Sequence, residues 1–350
     1  MTTAFTPHLY VDLGALDSTE GPQPTIGIRT DDQRLLYPRA VNVLFGPPES
    51  GKTLAASCIA ADTLFEGGSV LVVDIDHNGP HATRQRLRSF GITVDLLSDP
   101  ARFRYAEPDA PDALAQIIAE AAGWRPSLVL LDSIGELMPM YGGNSNDADD
   151  FTRINRVTLA AFARTGAAVL AIDHEAKSAS SRDYGSSGTA AKKRAVDGIM
   201  LRVKVTQPFT PGHGGRSTLS IVKDRHGALR RASPVGESEP VAANFQLIAH
   251  GDALDWKFWT PTTADAHHDP RVEADALELD TLTPPPASTR DVQERLHWSP
   301  RRAAPALKHW RATRYPEAEG NGKQDSATCF PPPIGGKRVA APDHKPTETP

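Results

Sequence analysis

Between Val41 and Val205 the chain alternates short apolar runs with longer stretches in which apolar residues recur every three or four positions. The runs are VNVLFG (Val41–Gly46), SVLVVDI (Ser69–Ile75), RFRYAE (Arg102–Glu107), SLVLLDSI (Ser127–Ile134), AAVLAID (Ala167–Asp173) and GIMLRVKV (Gly198–Val205). Near-continuous apolarity predicts strands buried on both faces. DALAQIIAEAA (Asp112–Ala122), with Leu114, Ile117, Ile118 and Ala121 at three- and four-residue steps, predicts a crossover helix. This order implies an α/β fold with a mostly parallel sheet flanked by helices. After Val205 the period falls to two: STLSIVKDR, a His226-Gly227 turn and ALRR predict an antiparallel hairpin at the sheet edge.

The periodic core is expected over residues 35–259, behind an N-terminal arm at 1–34. Acidic residues and prolines without periodicity predict a linker at 260–286. Ser288 to Asp291 then reads as a capping box. Val292 and Leu296, a His297-Trp298 turn, Ser299-Pro300, and Ala303, Leu307 and Trp310 outline a small helix-turn-helix or winged-helix-like unit at 287–315, before a tail at 316–350 expected to be disordered. Seven Lys and Arg against two Asp and Glu lie between Thr289 and Arg314, in a chain whose net charge is −5. That concentration suits either a DNA reader or a partner-docking helix pair, and Pro305 inside the second helix weighs against a regular one. Cys58 and Cys329 have no ligand or disulfide spacing, which excludes a disulfide framework and a zinc site. With no signal peptide pattern and no membrane-length apolar run, the expected location is the cytoplasm, away from membranes.

The chemistry is concentrated in Gly46-Pro47-Pro48-Glu49-Ser50-Gly51-Lys52-Thr53, a complete GxxxxGK[ST] between a predicted strand and a predicted helix. Backbone N–H groups at such a turn form an anion nest, the lysine reaches the β- and γ-phosphates, and the Thr53 hydroxyl is a ligand for Mg²⁺. ATP and Mg²⁺ are therefore the expected cofactors. A partner carboxylate is expected at the end of a neighbouring strand, where SLVLLD supplies Asp132 as the second metal residue. Ser133 follows it instead of glutamate, so the water-activating base must come from elsewhere. Asp76, at the mouth of the second strand, is the candidate, with Asp74 two residues earlier.

These segments resemble the RecA/DnaB class of P-loop ATPases over roughly residues 35–235, and most closely the RepA-like hexameric helicases of plasmids and phages. Asp74-Ile75-Asp76-His77 is similar to that class's D-x-E-H segment, with Asp76 in the glutamate's place. LVLLDSIGELMP looks like its Walker B strand, and AVLAIDHEAK like the strand ending in a γ-phosphate sensor. The resemblance implies a RecA-like fold, His174 as the sensor, and a helicase-type ATPase of DNA replication or recombination working as a ring, a hexamer in that group, on single-stranded DNA. Lys223-Asp224-Arg225-His226-Gly227 is similar to the K-x-R-x-G tract of ring helicases, which implies that Lys223 and Arg225 reach the neighbouring subunit's γ-phosphate. Read without it, the tract is a solvated strand end. The loop after His174 would line the channel, with Lys177, Arg182, Lys192, Lys193 and Arg194 on DNA phosphates, or else be a solvated surface loop. A replication or loading protein could dock on the C-terminal unit. Asp76 is one methylene shorter than the usual glutamate, and Pro47 and Pro48 remove two N–H donors from the cradle. The rival readings are a KaiC-like, nucleotide-gated assembly switch and a monomeric P-loop kinase, for which no arginine-bearing lid stands out.

Overall fold

The computed structural model describes residues 21–144, 147–174, 190–251, 253–262 and 270–314. In chain order its elements are β1 (Ile26–Ile28), β2 (Arg34–Leu36), β3 (Val41–Gly46), α1 (Lys52–Phe65), β4 (Val70–Asp74), α2 (Pro80–Ser89), α3 (Val94–Ser98), β5 (Phe103–Ala106), α4 (Pro111–Trp124), β6 (Leu128–Asp132), α5 (Ile134–Met140), α6 (Ala148–Val157), α7 (Leu159–Arg164), β7 (Ala168–His174), α8 (Ala190–Ala195), β8 (Ile199–Thr210), β9 (Gly214–Asp224), α9 (Ala228–Arg231), β10 (Val241–His250), β11 (Ala253–Trp259), α10 (Pro270–Leu279), α11 (Thr289–Leu296) and α12 (Pro300–Arg314). Among the described residues, nine strands form one sheet in the order β11-β10-β9-β8-β3-β7-β6-β4-β5. The pairs from β8 to β5 are parallel and those from β8 to β11 antiparallel. This is a RecA-like P-loop architecture: the mostly parallel sheet is what the alternation of apolar runs and helices predicts, and its RecA-like type is what the resemblance implies.

Successive residues of the parallel strands point to opposite faces, and both faces are apolar. Leu44, Val72, Leu130 and Leu170 meet Ala56, Ile59 and Leu64 of α1 and Leu87 of α2 on one face. Val43, Val73, Leu131 and Val169 meet Leu114 of α4, Leu137 of α5, Ile154 of α6 and Phe162 of α7 on the other. Two-sided burial explains why these runs lack the alternation of a half-exposed strand.

Three expectations are corrected. Residues 26–34, placed in an arm, belong to the β1–β2 hairpin, which runs on to Leu36. Arg29, 2% exposed, fastens it by donating to the carbonyls of Ala242 and Ala232 while pairing with Asp31. ALRR is not a strand but the short helix α9, and β9 pairs instead with β8 and β10. The cause is Asp224, whose carboxylate accepts the N–H groups of His226, Gly227 and Arg230 and folds the chain into a helical turn. Finally, α10 occupies part of the stretch read as a linker; residues 263–269 of that stretch and the 316–350 tail lie outside the described residues.

Two compact units divide the chain between Pro270 and Arg271. The second has its own core of Ala276, Leu279, Val292, Trp298, Ala303, Ala306, Leu307 and Trp310. Ser288 caps α11 by accepting the Asp291 N–H, as the sequence predicts, and the Asp291 carboxylate accepts the N–H of Ala287, one residue before the cap. The basic cluster is largely consumed inside this unit. Arg302 pairs with Asp275 and Glu278, Arg314 with Asp280, and Arg290 with Glu294, while Arg311 donates to the Ala287 carbonyl.

Candidate nucleotide site

The strand ends set the rim of the site. Gly46 of β3 is in register with His174 of β7, and Asp74 of β4 with Asp132 of β6, so four chemically distinct residues arrive at the C-terminal edge of the parallel sheet. Loops beyond that edge are where open α/β sheets bind ligands. From Gly46 the chain turns through exposed Pro47, Pro48 and Glu49 and buried Ser50 into α1. Gly51, at φ +89°, is the residue from which α1 starts. Glycine is required there twice over: the conformation is left-handed, and a Cβ would lie 2.3 Å from Cε2 of Phe209. Gly46 is constrained too, since a Cβ would lie 2.3 Å from the Val203 carbonyl oxygen.

The loop is built for an anion. The first N–H groups of the 14-residue helix α1 have no carbonyl within the helix to bond, and the Ser50 hydroxyl is buried without a hydrogen-bond partner among the described residues. The Lys52 ammonium, nearly buried, donates to the carbonyls of Gly46 (3.0 Å) and Pro47 (2.7 Å), curled over the mouth of its own loop. An orphaned hydroxyl, a helix N-terminus and a lysine converging on one turn fit a polyphosphate.

Beside them, the Thr53 hydroxyl donates to Asp132 at 3.3 Å. Burial, then the charges of Asp76 and Asp74, push the Asp132 carboxyl up to about 6 from its ordinary 3.8. A cation in this position would relieve that repulsion. Among the described residues no three carboxylate, histidine or cysteine side chains are spaced as a metal cage. Thr53 and Asp132 offer a hydroxyl and a carboxylate, oxygen donors of the kind Mg²⁺ accepts alongside phosphate and water. A cavity of about 20 Å³ lined by Thr53, Asp74, Asn78, Arg86 and Asp132 adjoins this pair.

Asp76 and Asp74 are differently employed. Asp76 is exposed at the rim, and the Ser133 hydroxyl donates to its Oδ1 at 2.7 Å. Ser133, the residue directly after Asp132, thus fixes one oxygen of the Asp76 carboxylate. Asp74 is buried and accepts from Asn78, the Gly79 N–H and Tyr105. Tyr105 lies between Asp74 and Glu107 (2.8 and 2.7 Å), and burial together with these carboxylates pushes its phenol far up. Asp74 is therefore a support of the turn carrying Asp76. Tyr105 and Glu107 were not legible because they lie on and just after β5, remote from any motif.

His174 ends β7, exposed at the rim beside Gly46. Of the proposed DNA contacts, Lys177 and Arg182 lie outside the described residues. Lys192 is corrected: it is 4% exposed and its ammonium pairs at 2.9 Å with the fully buried Asp173. A strand of apolar residues ending in Asp173 buries a charge that needs a partner, and Lys192 supplies it. Lys193 is half-buried and Arg194 exposed.

Lys223 and Arg225 lie at the other end of the sheet. The Arg225 N–H donates to the Gly198 carbonyl, and the Gly198 N–H to Val41, the first residue of β3. Gly46 is the last residue of β3, about 17 Å away at the rise of a strand, so neither side chain serves the phosphate loop of its own chain. Lys223 is further corrected from a free finger to an engaged group: its ammonium donates to the carbonyls of Lys193, Arg194 and Val196. Burial, then Arg225, pushes it below the ordinary lysine range. The exposed Arg225 guanidinium makes no hydrogen bond or ion pair among the described residues.

The family model described as an AAA domain matches residues 30–180, a span that holds the phosphate loop, Asp76, Asp132 and His174 and stops before Lys223 and Arg225. No curated protein matches the chain. The matched segment is similar to an AAA/P-loop ATPase-type domain, which supports a nucleotide-binding role for this part of the chain. Among the described residues no helix is long and apolar enough to cross a membrane.

Proposed function

We propose that this chain is an ATP-driven motor of DNA replication or recombination, a helicase-type ATPase that assembles as a ring on single-stranded DNA and completes each site with a residue of the next copy. The observation that carries the ring is the position of Arg225: an exposed guanidinium without a partner among the described residues, held by its backbone at the end of the sheet opposite the phosphate loop. A neighbour packed with that end against this chain's phosphate loop would deliver the charge from outside, as an arginine finger does.

Within one copy the geometry supports a role for each residue of the site. Thr53 and Asp132 would hold Mg²⁺, which supplies charge neutralisation on the β- and γ-phosphates when bound. Lys52 exchanges the Gly46 and Pro47 carbonyls for phosphate oxygens. Asp76, one oxygen held by Ser133, takes the proton of the attacking water with the other. His174, beside Gly46, contacts the terminal phosphate. Lys223 positions the strand end that carries Arg225.

The test is ATP turnover with and without single-stranded DNA for wild type and Arg225→Ala, together with mixtures of Arg225→Ala and Lys52→Ala proteins. Arg225→Ala should bind ATP yet lose on the order of 10³-fold in turnover. The mixture should regain activity, because a Lys52→Ala copy still lends its Arg225. Turnover that ignores DNA and is equal in wild type and Arg225→Ala would sink the motor. The second reading, a nucleotide-gated assembly switch, is favoured by the burial of Lys192, which removes one of the expected DNA contacts. It predicts ATP-dependent oligomers without DNA stimulation.

A further inference from the structure

A cleft of about 540 Å³ opens beside the phosphate loop, with residues 48–54 on one side and Val205, Pro208 and Phe209 of β8 on the other. The loop side is polar and suits phosphates and ribose. The β8 side is apolar throughout. Its aromatic member is rigidly backed: Phe209 stacks on Phe245 with ring centroids 5.8 Å apart and planes inclined by 29°, and Phe245 stacks in turn on Phe258 at 5.1 Å. Both supporting rings are buried in the core between the sheet and α1. Phe209 itself is half-buried, and its edge touches Gly51 of the loop.

A ring fixed from behind, lining a cleft that starts at an anion nest, is a stacking surface for whatever is attached to the anion. We propose that Phe209, flanked by Pro208 and Val205, is the nucleobase platform of this site, and that base selection rests on ring area rather than on a side-chain hydrogen-bond pattern. The inference rests on the nucleotide reading above and goes beyond it by naming the subsite and its specificity. Stacking tolerates any base because every base has a π-face. Purine triphosphates should therefore bind alike and ahead of pyrimidine ones.

The test is calorimetric titration of the full chain, in Mg²⁺, with ATP, GTP, CTP and inorganic triphosphate, for wild type, Phe209→Ala and Phe209→Trp, with thermal unfolding to verify each fold. Phe209→Ala should weaken ATP roughly 5- to 150-fold while leaving inorganic triphosphate within about twofold, and Phe209→Trp should keep ATP affinity. Wild type should bind ATP and GTP within about tenfold of each other and CTP more weakly. Unchanged ATP affinity in Phe209→Ala would overturn the platform. So would equal losses for ATP and triphosphate, because Phe209 would then be shaping the loop through Gly51. An ATP preference over GTP well beyond tenfold would overturn selection by ring area. Wild type that binds neither ATP nor triphosphate would overturn the nucleotide reading itself, a result distinct from the others.

Discussion

Single side chains in this protein are decided by what they find when the chain closes around them. Lys192 sits in a basic, serine- and glycine-rich tract that looks solvated in sequence, yet its ammonium is in the core against Asp173. Removing one partner of such a pair leaves the other charge buried and alone. Lys192→Met should therefore lower unfolding free energy by about 3–5 kcal/mol in urea titrations, whereas neighbouring Lys193→Ala should change it by no more than about 0.5 kcal/mol. Asp62 of α1 is the complementary case. One of its oxygens accepts from Trp256, the other is buried without a hydrogen-bond partner among the described residues, and burial pushes the carboxyl up to about 7 from 3.8. The folded protein binds this proton more tightly than the unfolded chain, so stability falls as pH rises from about 4 to about 7 and is level beyond that window. Asp62→Asn, which keeps an acceptor for Trp256, should stabilise the protein at pH 8 by up to about 4 kcal/mol, with the gain vanishing below pH 4. A pH series of denaturant melts on both proteins measures it.

The apolar runs that become β3, β4, β6 and β7 were legible because burial on both faces favours apolar residues at nearly every position, and the phosphate loop was legible because its residue types recur at fixed spacing within eight neighbouring residues. ALRR was misread since its periodicity is short and the deciding group, the Asp224 carboxylate, acts from outside the segment. Lys223 shows the same dependence: three carbonyls at the C-terminal end of α8 converge on it, although they lie about thirty residues earlier in the chain. Lys223→Met should cost about 1–3 kcal/mol and speed amide exchange in α8, while exchange in α1 stays as in wild type. Faster exchange throughout both helices would show that the lysine has no special hold on α8. At α11 the cap was readable from four consecutive residues, and Ser288→Ala should cost the helical unit about 1 kcal/mol.

For the molecule as a whole, the two units have separate cores, and every residue lining the nucleotide cleft belongs to the first. Leu279, fully buried in the second core, tests that separation. Leu279→Ala removes about 2–5 kcal/mol from a unit with three helices among its described residues, a core too small to hold much in reserve. The unit should melt first in calorimetry while ATP affinity stays at the wild-type value. Lost ATP affinity would mean that the helical unit supports the site.

From its sequence alone the chain is determined to be an α/β protein with a phosphate loop, a carboxylate-ended strand at Asp132 and a capped helical unit near its C-terminus, because apolar runs, the loop motif and helix caps are patterns written in neighbouring residues. Tertiary structure alone decided which charges are used and where. It turned Lys192 inward, gave Lys223 to α8, spent the C-terminal arginines on Asp275, Glu278 and Asp280, and set Phe209 beside Gly51 across more than 150 residues of chain. Ion pairs and ring contacts depend on distance in space, and sheet order, with β8 returning beside β3, is what brings those residues together.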